Sequence, residues 1–389
     1  MDQIAQFHRH LITPPTNKIE VSNWNVTLDK HEKKDYKASF YALLDYINPE
    51  LRKKFGNTDQ TEFKVPHGSI IVDVKLVEDR IEVNAPFIQL PDTNVIPILR
   101  KIAEINFWPL SLATIRLKDQ SLEFYYQCKL SAFEPYKIYY LLKEICDTGD
   151  RYDDYFTLKH GAKRIYEPII TPYSKEIAEK TWDQTYSYIN EALEYISYFD
   201  GKRWYDFSFD IVATTIFKIE YYACPQGNTR NELEDAVIYL LNNQNSLHDR
   251  ISNGKKALLK IKERGKEVFI ADLYQTEVFI PYKHRLPLSN LQEQFQSPLD
   301  QSSSHLSNGN YVAASLNVLY NFLYEMYYYS LPNDVYNLMV NALLKSSGKS
   351  WNESASILLE AMKDIVTNNI QSGMSKKPKK GFFASLFGN

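Results

Sequence analysis

Thirteen glycines in 389 residues, none nearer than seven positions to the next, set the first limit on this chain. Loops that cradle phosphate or a dinucleotide, and the sharp turn that presents a nucleophilic serine, need closely spaced glycines. Only there can backbone approach a ligand closely or turn through positive φ. The patterns G-x-G-x-x-G, G-x-x-x-x-G-K-[ST] and G-x-S-x-G are all missing. Cys128, Cys146 and Cys224 form no C-x-x-C pair, and the eight histidines include no H-E-x-x-H. Catalysis would have to come from dispersed residues. The expectation is a non-enzyme with no cofactor and no metal site.

Charge points the same way. Forty-five basic residues against 48 acidic give a net charge of −3, so no global field recommends nucleic acid as a partner. The first ten residues, MDQIAQFHRH, lack the form of a signal peptide, and no apolar run reaches membrane-spanning length. Three scattered cysteines suit a reducing compartment, and the expected location is the cytoplasm.

At roughly 150 residues per domain the length predicts two or three domains. Residues 1–35 read as a polar arm with one short strand at 18–28. A helix follows over 36–47, with Phe40, Leu43, Leu44 and Ile47 on one side. The period then becomes two: 69–77 and 80–90 alternate around the turn Glu78-Asp79, predicting a hairpin. Helical spacing returns over 94–107 through Ile98, Leu99, Ile102 and Ile105. A second hairpin spans 111–130, and Pro135 opens a helix through Ile138, Leu141, Leu142 and Ile145. Asp147, Asp150, Asp153 and Asp154 around Gly149 read as a solvated loop ending that helix, since their spacing does not fit a calcium loop.

The order helix, hairpin, helix, hairpin, helix resembles the type III secretion chaperone-like fold shared by the YbjN-like family. Residues 95–107 are similar to that family's central helix, which ends in L-x-x-L-x-x-N. Leu99 and Ile102 fill the apolar positions, and Asn106 falls one residue late. The resemblance covers about 36–165 and implies a bacterial protein that binds another protein. Family members show three strands before the central helix. Only two are clear here, with 18–28 or 63–65 as the third.

From Ser174 the helical period dominates. Trp182, Tyr186, Ile189, Leu193 and Ile196 make one stripe; Val312, Leu316, Leu319, Leu323 and Met326 make another. Helices are also expected around 212–219, 233–241, 258–261, 335–344 and 353–366, with 268–280 ambiguous. Residues 281–310, with three prolines and a serine run, read as a long surface loop. Tyr221-Tyr222-Ala223-Cys224-Pro225 and Tyr328-Tyr329-Ser330-Leu331-Pro332 share Y-Y-x-x-P at expected helix ends. Glu232, Glu234 and Asp235 are expected in a helix's first turn, where carboxylates favour the dipole. His284-Arg285 could meet an anion, while His67 and His160 have no partner readable from sequence.

The predicted fold class is therefore α+β: an N-terminal arm (1–35), a secretion-chaperone-like α/β sandwich (36–170) able to fold alone, and an all-α domain (173–370). A basic-aromatic tail (371–389) completes the chain. In that tail Lys376, Lys377, Lys379 and Lys380 precede Phe382, Phe383, Leu386 and Phe387. Four large apolar side chains beside lysines suit a docking peptide, or weak adsorption to a membrane surface. The expected function is a non-catalytic chaperone or adaptor binding another protein through its α+β surface, its tail, or both. An enzyme with dispersed catalytic residues, a structural subunit of an assembly and a homo-oligomer are the alternatives.

Overall fold

The computed structural model describes residues 1–12, 20 and 22–370. The chain is mixed α+β, built around two hydrophobic cores. The first begins with α1 (Ser22–Glu32), α2 (Tyr36–Ile47) and α3 (Leu51–Phe55). Asp35 caps α2 by accepting from the Ala38 N–H. Three strands follow: β1 (Glu62–His67), β2 (Ile70–Val77) and β3 (Arg80–Gln89). After α4 (Val95–Phe107) come β4 (Thr114–Lys118), β5 (Ser121–Lys129), α5 (Pro135–His160) and β6 (Lys163–Arg164). The sheet order is β1-β2-β3-β5-β4, antiparallel throughout, with β6 added on β3. Alternate residues such as Val72, Val74, Ile81 and Val83 face the core, as the two-residue period requires.

Several expectations are corrected here. No strand forms over the described part of 18–28; α1 forms instead. Its sequence hides this because only Thr27 is fully buried, its carbonyl accepting from Ser39 Oγ at 2.6 Å. The third strand is β1, covering 63–65. The helix from Pro135 does not end at an acidic loop but runs 26 residues to the left-handed cap Gly161. Gly149 marks close packing: a Cβ there would lie 2.7 Å from Ile70 Cδ1. Gly149→Ala should therefore destabilise by about 1–3 kcal/mol. A denaturant midpoint equal to that of the parent would refute this account of Gly149. Asn106 ties α4 to β4: its amide donates to the Ile115 carbonyl at 2.9 Å and accepts from the Ile115 N–H at 2.7 Å.

The second half comprises β7 (Ile170–Pro172), α6 (Lys175–Gly201), α7 (Tyr205–Ala223), α8 (Gly227–Leu241) and α9 (Leu247–Ala271, interrupted at Gly265). Next are β8 (Tyr274–Thr276), β9 (His284–Arg285), α10 (Leu288–Ser307) and α11 (Tyr311–Tyr328). Last come β10 (Tyr329–Ser330), α12 (Asn333–Ser346) and α13 (Trp351–Val366). Helix α7 sits centrally, packed on α6, α8, α9 and α11. The Y-Y-x-x-P copies close the two neighbouring helices α7 and α11.

The long loop expected at 281–310 is mostly α10. Leu291 and Phe295, four apart, are buried on one face, whereas of the serine run that suggested a loop only Ser302 is buried. Pro298 lies within that helix, and its carbonyl accepts from Asn317 Nδ2. The ambiguous stretch 268–280 divides into the end of α9, strand β8, and a strap that buries Phe279 and Ile280 in the first core. Residues 36–170 thus do not complete that core alone. The first ten residues, expected in the arm, join the second core instead: Ile4, Ala5 and Phe7 are buried there.

Candidate functional site: a groove in the helical half

Residues 1–10 lie non-helical in a groove between α6, α7, α12 and the turn from α12 to α13. Helical spacing builds the walls. Tyr188, Glu191 and Tyr195 stand three and four apart on α6, as do Lys218, Tyr221 and Tyr222 on α7, so each set shares a face. Apolar burial anchors the segment. Ile4 is 2% exposed and Phe7 3% exposed, with the Phe7 ring stacked on Tyr221 at 5.2 Å between centroids.

The polar contacts run from side chains of the groove to backbone of the segment. Tyr195 donates to the Gln3 carbonyl at 2.6 Å, and Trp351 Nε1 donates to the Met1 carbonyl at 3.1 Å. Glu191 accepts the Gln6 N–H at 2.9 Å, while Lys218 Nζ donates to the Gln6 carbonyl at 3.0 Å. Ser347 Oγ accepts the Phe7 N–H at 2.8 Å, and the Tyr188 hydroxyl accepts the His8 N–H at 2.9 Å. The Ile4 N–H reaches the Lys349 carbonyl at 2.8 Å. Gly348, at φ 68°, permits the close passage; a Cβ there would meet Gln6 Nε2 at 2.6 Å. Most of these contacts hold main chain, but side chains are met as well: Ser347 Oγ donates to the exposed Gln6 side chain at 3.0 Å, and the His8 and His10 rings lie 3.2 and 3.0 Å from the Tyr188 and Tyr336 hydroxyls.

Lys218 is the electrostatic centre of this groove. It is 2% exposed, lies 3.7 Å from Glu191, and sits 4.6 Å from the centre of the Tyr188 ring. Burial pulls its ammonium below the usual lysine range, opposed by the charge of Glu191. A buried ammonium needs hydrogen-bonded partners, and here one is the carbonyl of the bound segment. Sequence patterning read these helices as ordinary core stripes. The sign available was a lysine inside the otherwise apolar and hydroxylic run from Ile211 to Tyr222, broken also by Glu220.

The acidic residues singled out from sequence meet elsewhere, at the junction of the two cores. Arg230 stacks on Tyr282 with its guanidinium carbon 3.4 Å from the ring centre, donates to Glu234 at 2.9 Å, and lies 3.6 Å from Asp150. Tyr282 donates to Asp150 at 3.2 Å. Arg164 pairs with Asp153 at 2.7 Å and with Asp154. Burial raises Asp150 and Asp153, carries Asp154 to about 6 with help from Asp153, and carries Glu220 to about 7 against the pull of Arg230. His67 is buried to a value of about 3, its Nδ1 accepting the Phe279 N–H at 3.0 Å.

Asp147 pairs with Lys143, and no cluster among the described residues is arranged to hold a metal ion. Glu232, Glu234 and Asp235 are beyond the first turn of α8, which has no acid. They pair with Lys260 and Arg264, with Arg230, and with Arg151. His284 and Arg285 form a short parallel pairing with Tyr329 and Ser330. The tail residues Lys376, Lys377, Lys379, Lys380, Phe382, Phe383, Leu386 and Phe387 lie outside the described residues. No helix among the described residues is long and apolar enough to cross a membrane. No family model matches the chain, and neither a curated protein nor a solved structure matches it.

Proposed function

We propose that this chain is a non-catalytic binding protein, an adaptor or chaperone, whose helical half receives a peptide segment of about ten residues. The observation that carries this is the set of side chains from Tyr188, Glu191, Tyr195, Lys218 and Ser347 holding five backbone groups between Gln3 and His8. Main chain buried in any groove must have its N–H and C=O groups satisfied. A groove that satisfies these groups can accept different sequences sharing the same anchors. The three-strand, helix, hairpin, helix order of the first half supports a chaperone-like role for it, by resemblance of pattern only. Three unpaired cysteines accord with a cytoplasmic location.

The test uses the full chain with a protease site placed at Pro14-Pro15. After cleavage, the released segment of about residues 1–14 should remain bound and exchange with a fluorescent peptide 1–12, read by anisotropy. Lys218→Met should weaken that exchange affinity by roughly 10–150-fold, the effect of losing a charged hydrogen bond. Loss of the cooperative melt on cleavage, or failure to take up labelled peptide, would overturn the proposal.

A further inference from the structure

We infer that the groove has a second occupant within the same chain, the tail motif Phe383-Ala384-Ser385-Leu386, which exchanges with Ile4-Ala5-Gln6-Phe7. This rests on the groove being a peptide site. The groove asks for four things in order: a large apolar side chain, a small one, a residue free to be polar, and a second large apolar one. Ile4, Ala5 and Phe7 are buried while Gln6 is exposed. Amide N–H groups are also needed at the last two of these positions and at the next, which excludes proline there. Phe383-Ala384-Ser385-Leu386-Phe387 meets each requirement. The same pattern occurs at 102–105, 112–115 and 270–273, where α4, the edge of β4 and the end of α9 already use it.

Charge and reach agree with this register. Aligning Phe383 with Ile4 places Lys380 at the position of Met1, with Lys379, Lys377 and Lys376 beyond. That end of the groove is held by Tyr195 and Trp351, whose rings meet at 6.1 Å. Glu194, an exposed acid, precedes Tyr195 on α6, while Glu353 on α13 is exposed but already lies 3.6 Å from Lys349 and accepts from Ser350 at 2.9 Å. Ile370 is buried in the helical core just past α13. The 16 residues of α13 separate it from Trp351 by roughly 24 Å at 1.5 Å per residue. The ten residues from 371 to Lys380 can span about 33 Å when extended, so the tail can reach its own groove.

Two measurements decide it. With the cleaved protein, peptide 371–389 should displace labelled peptide 1–12, and its Phe383→Ala, Leu386→Ala version should be weaker by about 100-fold, as for the loss of two buried anchors. Labelled peptide 1–12 binding normally while peptide 371–389 fails to compete would remove this inference and leave the groove as a peptide site. Binding of neither peptide would remove both. In the full chain, a photo-crosslinking residue at position 383 should label α6, α7 or the α12–α13 turn within one chain, and more strongly when Phe7→Asp weakens the resident segment. Cross-links found only between chains, or none in the groove with the melt intact, would overturn occupation by the chain's own tail.

Discussion

Replacing Phe279 by alanine is expected to cost about 3–5 kcal/mol, the range for removing a fully buried phenylalanine. Phe279 is 1% exposed within the first core, yet it is carried there by the strap at 277–282 that leaves and re-enters the helical half. The strap is fixed along its length. The Gly68 N–H donates to the Glu277 carbonyl at 3.0 Å, and Lys54 pairs with Glu277 at 2.9 Å. Lys143 donates to the Tyr282 carbonyl at 3.3 Å. Fragment 36–170 should therefore show no cooperative melt, and peptide 274–286 should restore one. Urea denaturation of the variant and circular dichroism of the fragment check this. A fragment that melts cooperatively alone would show that the strap is accessory.

Arg230→Met is the second large effect, again about 3–5 kcal/mol, because it leaves buried carboxylates without their cation. The loss should depend on pH in a defined direction. Glu220 is carried to about 7 by burial, above its ordinary 4.5, even with Arg230 opposing that shift. A carboxyl raised in the folded state contributes stability that is fully present below its unfolded value and lost as pH rises through the folded one. Without Arg230 the folded value climbs further, and Asp150 moves the same way. Parent and variant lose the Glu220 contribution alike between about pH 4.5 and 7, but only the variant goes on losing it above pH 7, so its deficit should widen above about pH 7 and narrow below it. Paired denaturation curves at pH 5 and pH 8 measure this. A deficit unchanged between them would mean that these carboxylates do not titrate in response to Arg230.

Much of the fold was legible because period reports burial locally. Phe40, Leu43, Leu44 and Ile47 marked α2, and alternation through Ile81, Val83 and Ala85 marked β3. What sequence reading missed depends on distant partners. Helix α1 shows little stripe of its own because Trp24 packs on Tyr46 and Tyr136 from other elements. Helix α10 was obscured by Pro298 and by serines that local pattern assigns to loops. The groove was invisible for the same reason: Gln6 and Lys218 are 212 positions apart. Glycine reading also failed at Gly149, where absence of a side chain serves packing on Ile70 and not a turn.

The lodging of the first ten residues beneath α13 has a consequence for the order of events during synthesis. Their partners begin at Tyr188 and end at Trp351. A ribosome adding about 5–20 residues per second takes roughly 20–70 s to pass from residue 12 to Trp351. For that interval the segment carrying Ile4 and Phe7 has emerged while one wall of its berth is still unmade. Burial of Ile4 and Phe7 thus waits on the last described helix. In each round of translation these anchors are available first to whatever else in the cell can hold them.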